Sequence, residues 1–140
     1  MPVEIASITT GGGGGYVPTD DELRLSGDCA NLFSNERFKW IIDNYGNRIT
    51  TANISSTSHM FSQYRGDNIP FDINSAYELE CEYMFYNAGI KGTLPKIVMT
   101  QTTNYVKAIN YMFYGYKYDN IPDDYFNSMA SSKIYQYVNM

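Results

Sequence analysis

Apolar residues recur along this chain in a fixed local pattern. Ser58-His59-Met60-Phe61, Glu82-Tyr83-Met84-Phe85 and Asn110-Tyr111-Met112-Phe113 are copies of one signature, and Ala30-Asn31-Leu32-Phe33 is a weaker copy. Leu32, Met60, Met84 and Met112 serve as anchors, and the middle interval between them is shorter than the two equal outer ones. Nine or ten residues after each later anchor comes an apolar residue followed by proline: Ile69-Pro70, Leu94-Pro95 and Ile121-Pro122. The first copy has Ile41 at that offset and no proline. Three residues before the anchors stand Cys29, Thr57, Cys81 and Ile109, and six before them Ser26, Ile54, Glu78 and Val106. Met140 follows Met112 by the longer of the two intervals, with Tyr137 and Ile134 at the matching earlier positions. It reads as the opening of a fifth copy.

A period of this size predicts one supersecondary unit per repeat, each exposing an apolar face that only its neighbours can bury. The expected fold is a repeat solenoid of leucine-rich-repeat-like character: short β-strands joined by loops, with one or two short helices. Equivalent side chains would then stack in ladders, including the column Phe33, Phe61, Phe85 and Phe113. Alternation predicts strands over Asn53–Thr57, Leu79–Tyr83 and Tyr105–Ile109. Between Asn35 and Gly46 the apolar residues 38, 41, 42 and 45 have helical spacing, which predicts a helix of about ten residues. Ser34 or Asn35 would cap its start and Gly46 its end. A second helix is expected near Asp123–Ser132.

Residues 1–20 differ from the rest. Val3, Ile5 and Ile8 lie among polar residues and suggest a short strand-forming arm; Gly11 to Gly15 follow as a tether with no side chains to pack. The glycine run lacks the Gly-Lys-Ser/Thr ending of a phosphate-binding loop. The expected organisation is thus an arm over 1–20 and a domain of about four repeats over 21–140. Thr19 and Glu22 have capping-box spacing and would start a short helical turn.

Composition narrows the function. Apolar residues make up 44% of the 140-residue chain and charged residues only 18%, against about 25% in average globular proteins. The difference is made up by Tyr, Asn, Ser and Thr, and there are 14 tyrosines. Tyrosine combines rigid contact area with a polar tip, which suits both stacked ladders and binding surfaces. The net charge is −5 and no basic cluster exists, which argues against nucleic acid as a partner. No apolar run approaches the roughly 18 residues of a membrane span, and the N-terminus lacks the features of a signal peptide.

Candidate chemistry is sparse. His59 is the single histidine and sits in the same column as Asn31, Tyr83, Tyr111 and Asn139, a surface ladder position with no second metal ligand beside it. Cys29 and Cys81 share a column two layers apart, roughly 10 Å by the strand spacing, too far for a disulfide. Both are expected to be buried thiols. Asp20-Asp21-Glu22 and Asp123-Asp124 read as solvated loop positions rather than an acid/base pair. No metal, cofactor or catalytic residue is expected. Tyr83 with Tyr111, and Tyr86 with Tyr114, recur at matching offsets and should form two lines along the stack. An exposed line would serve as a platform for a sugar or a protein; a covered one would be packing.

The segments Tyr83-Met84-Phe85-Tyr86-Asn87 and Tyr111-Met112-Phe113-Tyr114-Gly115, with apolar-Pro about ten residues on, resemble the BspA-like leucine-rich repeats over roughly residues 26–140. The asparagine-and-leucine ladder of standard leucine-rich repeats is missing. The resemblance implies a curved, non-enzymatic repeat domain of the kind found in surface proteins that bind proteins or host tissue, and in phage-encoded proteins. Together with the arm and tether, it points to a virion-associated protein, a phage fibre or a capsid- or tail-attached module. The arm of Val3, Ile5 and Ile8 would add to a partner's sheet, and homo-oligomers are open. The alternative is a fragment of a bacterial cell-surface adhesin.

Overall fold

A computed structural model describes residues 3–5, 22–75, 79–99 and 109–125 of the 140. Seven strands and one α-helix are placed: β1 Val3–Ile5, β2 Leu23–Asp28, α1 Lys39–Tyr45, β3 Ile49–Ser56, β4 Arg65–Gly66, β5 Ile73–Ser75, β6 Gly89–Ile90 and β7 Ile97–Met99. All strand pairing among them is parallel, in the orders β1-β2-β3, β4-β6 and β5-β7. Beyond β1, partners lie about one sequence period apart: Leu23 faces Ile49, Arg65 faces Gly89, and Ile73 faces Ile97. Leu23, Ile49, Ile73 and Ile97 thus begin four successive copies, and all four are buried.

The uneven anchor spacing has a local cause. Ser26 pairs with Ala52, Gly27 with Ile54 and Asp28 with Ser56, so bulges on either side of Gly27 each insert an extra residue into β3. Gly27 takes a φ of +70° there, which glycine adopts without steric cost. The insertions are absorbed in the strand, so the anchors after it stay aligned. Between the third and fourth copies, Ser75 pairs with Met99 at the shorter interval, whereas Met84 and Met112 stand at the longer one. The extra residues of the fourth copy therefore lie between 99 and 112.

After each long strand the chain makes a turn segment whose amides alternate in use. In the second copy, Met60, Ser62 and Tyr64 N–H donate to carbonyls three residues back, Thr57, His59 and Phe61. The amides between them point to the next copy: His59 N–H to Glu82 O, Phe61 N–H to Met84 O and Gln63 N–H to Tyr86 O, at 2.7–3.0 Å. The same alternation joins the first copy to the second, and the third to the fourth. It requires left-handed backbone at two fixed positions. Asn31, His59, Tyr83 and Tyr111 have φ of 56–62°, and Asn35, Gln63, Asn87 and Gly115 have φ of 53–73°. Asparagine and glycine accept this region readily; for His, Tyr and Gln it costs about 1–2 kcal/mol each, which the inter-copy hydrogen bonds offset.

This geometry sends three side chains of every turn inward. Cys29, Thr57, Cys81 and Ile109 form one buried column, Leu32, Met60, Met84 and Met112 a second, and the phenylalanines a third. Phe33, Phe61, Phe85 and Phe113 stack at centroid spacings of 5.4, 5.6 and 5.0 Å with interplanar angles of 19°, 4° and 4°. The spacing follows from the strand separation of about 4.8 Å. Tyr64 meets Phe61 edge-on, and Tyr116 and Tyr125 meet Phe113 edge-on, closing the column from the side.

Several expected elements differ. The ten-residue helix is broken: Ser34–Glu36 is a 3-10 turn with Asn35 left-handed, Phe38 is also left-handed, and α1 begins only at Lys39. Neither Ser34 nor Asn35 caps it. Those residues belong to the first turn segment, where Asn35 N–H donates to Ser62 O at 2.8 Å, a bond a longer helix would forfeit. Gly46 does end α1, at φ +52°. Leu79–Tyr83 is not a strand; only Glu80 bridges to Ser56, and Tyr83 already lies in the turn. The strand expected at Asn53–Thr57 starts earlier, at Ile49, and stops at Ser56. Glu22 runs directly into β2, 3.6 Å from the Arg24 guanidinium. Val3–Ile5 occupy the edge of the chain's own sheet, paired with Leu23–Leu25. Ile8, Gly11 to Gly15, Thr19, Tyr105, the helix expected beyond Tyr125 and the fifth copy ending at Met140 lie outside the described residues.

Candidate functional site

The turn segments present a second set of side chains outward. With the inward columns at three before the anchor, at the anchor and one after it, the residues two and one before it, and two and three after it, line the opposite face. Tyr83, Tyr86, Tyr111 and Tyr114 all fall here, so the structure brings the four expected tyrosines together. His59, Tyr83 and Tyr111 form an inner line at 4.8 and 5.0 Å, with interplanar angles of 4° and 9°. Tyr86 and Tyr114 form an outer line at 5.9 Å and 9°. The lines meet edge to face, Tyr83 on Tyr86 at 5.6 Å and Tyr111 on Tyr114 at 5.7 Å. Tyr114 is 50% exposed and the other three are half-buried.

Stacking decides which part of each ring a partner can reach. Tyr83 is sandwiched between His59 and Tyr111, and Tyr86 and Tyr114 share a face. A pyranose binds aromatic residues by lying on a ring face, and both faces of Tyr83 and one face each of Tyr86, Tyr111 and Tyr114 are taken by stacking. Along the stacked lines a partner meets ring edges and hydroxyls, a surface of positive rim and hydrogen-bonding tips.

The residues around the tyrosines share one character. The first copy contributes Ala30, Asn31, Ser34 and Asn35; the second Ser58, His59 and Gln63, while Ser62 at the matching position is buried with its hydroxyl donating to Tyr86 O; the third and fourth add Glu82, Asn87, Asn110 and Gly115. Glu82 carries the single formal charge among these positions. Asp28, Glu36 and Glu80 stand at the margins of the face, each next to one of its turn segments. Arg65 also borders the face, its guanidinium donating to Asn87 O at 3.1 Å. Further exposed charges of both signs stand outside the turn segments in sequence, on Asp67 and Asp72, on Lys91 and Lys96, and on Lys117, Asp119, Asp123 and Asp124. The left-handed columns are a signal that sequence reasoning missed: Asn35, Asn87 and Gly115, four after Asn31, Tyr83 and Tyr111, mark turns that force the intervening side chains alternately in and out.

A separate cleft of about 610 Å³ is lined by Gly92, Thr93, Leu94, Lys96, Asn120, Pro122, Asp124 and Tyr125. Its polar groups are largely committed. Asn120 Nδ2 donates to Ile90 O at 2.7 Å and to Gly92 O at 3.1 Å, and the Tyr125 hydroxyl donates to Pro95 O. Lys96 and Asp124 give it one charge of each sign, and no histidine or cysteine is among the described lining residues. No group of three or more metal-ligating side chains occurs among the described residues, and no helix there is long and apolar enough to cross a membrane.

Cys29 and Cys81 are buried thiols outside any disulfide. Burial, reinforced at Cys29 by the Asp28 carboxylate, pushes both up to about 12; at Cys81 a 3.2 Å hydrogen bond from Thr57 Oγ1 works the other way. Raised folded values mean that stability is untouched below about pH 9 and falls as pH climbs from about 9 to about 12, where the unfolded chain ionises first. We expect neither thiol to react with iodoacetamide in the native protein at about pH 8, and both to react in denaturant. Rapid native labelling of Cys81 would contradict its placement.

Comparison with known proteins returned no matching family model, no matching curated protein and no matching solved structure.

Proposed function

We propose that this chain is a non-enzymatic structural and binding module, a leucine-rich-repeat-like solenoid whose tyrosine-bearing turn face docks a protein. One observation carries the reading: the turn face combines four clustered tyrosines with Asn, Ser, Gln and Gly and a single formal charge. That composition is the one antibody paratopes use, where tyrosine supplies rigid contact area and small polar residues adaptable hydrogen bonds. The coverage of ring faces by stacking favours a protein over a glycan. Parallel pairing one period apart supports the solenoid reading. The resemblance to BspA-like repeats supplies the setting, a virion-attached fibre or tail protein, with a bacterial surface adhesin as its cellular counterpart. Because β1 pairs with β2 of its own chain, anchoring through Val3 and Ile5 would require that strand to exchange into a partner's sheet.

The test compares the full chain with a Tyr86→Ser/Tyr114→Ser variant, which alters the outer line and leaves the inner stack. Both are immobilised and presented with the disassembled proteins of the source particle or cell envelope, and with a glycan array. The reading predicts a protein retained by the wild type and weakened at least about thirtyfold in the variant. Equal retention by both, or Tyr-dependent binding on the glycan array alone, would overturn it.

A further inference from the structure

We propose that Tyr86 and Tyr114 form a site of oxidative tyrosine coupling that joins the third and fourth copies covalently. The rings belong to segments a full repeat apart in sequence, yet lie 5.9 Å apart at 9°. For parallel rings in van der Waals contact, about 3.5 Å between planes, that centroid distance means a sideways slide of roughly a ring's width. A slide of that size brings the rims of the two rings, which carry the ortho carbons, closer together than their faces. Tyr114 is 50% exposed, which admits an oxidant, and Tyr111 and Tyr83 touch the pair edge-on and hold it in place. Tyr83 and Tyr111 are closer, at 5.0 Å, but Tyr83 is enclosed between two rings.

The chemistry balances with a peroxide as oxidant. Each phenol loses one electron and its hydroxyl proton to give a phenoxyl radical. The two radicals combine at ortho carbons to form one carbon–carbon bond, and the two ortho hydrogens move to the oxygens and restore both rings. Net, two tyrosines lose two electrons and two protons. One hydrogen peroxide accepts them and becomes two waters. The product fastens neighbouring copies at the turn face and adds a covalent rung to a ladder otherwise held by hydrogen bonds and stacking. It does not depend on the protein-docking reading, since it uses only the geometry of the two rings.

The experiment treats dilute full-length chain with a haem peroxidase and limiting hydrogen peroxide, isolates the monomer and maps it after trypsin digestion. Cleavage places Tyr86 in peptide 66–91 and Tyr114 in peptide 108–117. The expected result is dityrosine fluorescence in the monomer and these two peptides joined with the loss of two hydrogens, fragmentation placing the bond on Tyr86 and Tyr114. Tyr86→Phe and Tyr114→Phe, which keep the ring stack, should each abolish this species, and Tyr118→Phe should not. Joined peptides that persist in Tyr114→Phe, coupling only between separate molecules, oxidation of Tyr114 without coupling, or no reaction would each overturn the proposal.

Discussion

Replacing Phe85 with alanine is expected to unfold the protein or bring it to the edge of unfolding. Phe85 is fully buried and is stacked on both faces, by Phe61 at 5.6 Å and Phe113 at 5.0 Å. Phe→Ala in a packed core costs about 3–5 kcal/mol, a large share of the roughly 5–15 kcal/mol that holds a typical domain together. Collapse into the gap is opposed by the backbone ladder, because Phe85 N–H donates to Met112 O and the Met84 carbonyl accepts from Phe61. The copies on either side cannot close up without breaking those bonds. Chemical denaturation read by far-UV circular dichroism checks this; a loss under about 1 kcal/mol would show that the column is not a continuous core. Phe85→Leu keeps much of the volume and should lose less.

The second large effect is expected at Gly115. It is the last member of a left-handed column, at φ +73°, and a β-carbon built there would stand 1.9 Å from Asn87 Oδ1. Gly115→Val should cost about 2 kcal/mol or more, since a branched side chain is poorly tolerated in that conformation. Gly115→Asn meets the same neighbour, yet asparagine already occupies the column at Asn35 and Asn87. It should be the milder change, and the difference between the two variants isolates backbone conformation from crowding. Equal unfolding midpoints would remove the left-handed requirement at this position.

The inward column of Cys29, Thr57, Cys81 and Ile109 shows in the sequence only through its offset from the anchors. The other two inward columns are plainly legible because each rests on a side chain large enough to leave a signal at every copy: Leu or Met at the anchor, then Phe. The tyrosine lines are legible for the same reason. The strand boundaries are not. Asn53–Thr57 alternates like a strand, but Thr57 is claimed by the turn, and Leu79–Tyr83 loses its extended run because Tyr83 must be left-handed to send its amide to Asn110 O. Helical spacing at 38, 41, 42 and 45 is real, and Ile41, Ile42 and Tyr45 are buried. The helix starts later than that spacing predicts because Asn35 is held by Ser62 of the next copy. These differences share a cause. A hydrogen bond to the next copy overrides local propensity, and such bonds show in one copy's sequence only where Asn or Gly occupies the left-handed position. The stacking of tyrosine faces against each other, which turns the surface from a sugar platform into rows of edges, is likewise invisible without the ring planes.

The stacking of successive copies is tested most directly by amide hydrogen exchange resolved at residues 57–64 and 81–88. An isolated turn would protect only the amides bonded within it, Met60, Ser62 and Tyr64, then Met84, Tyr86 and Ala88. Stacked copies also protect the alternate set, His59, Phe61 and Gln63, then Tyr83, Phe85 and Asn87, because each donates to the following copy. Comparable slow exchange in both sets is the predicted result. Protection confined to the first set, with the second exchanging as in an unfolded chain, would contradict the stacked arrangement and with it the tyrosine face.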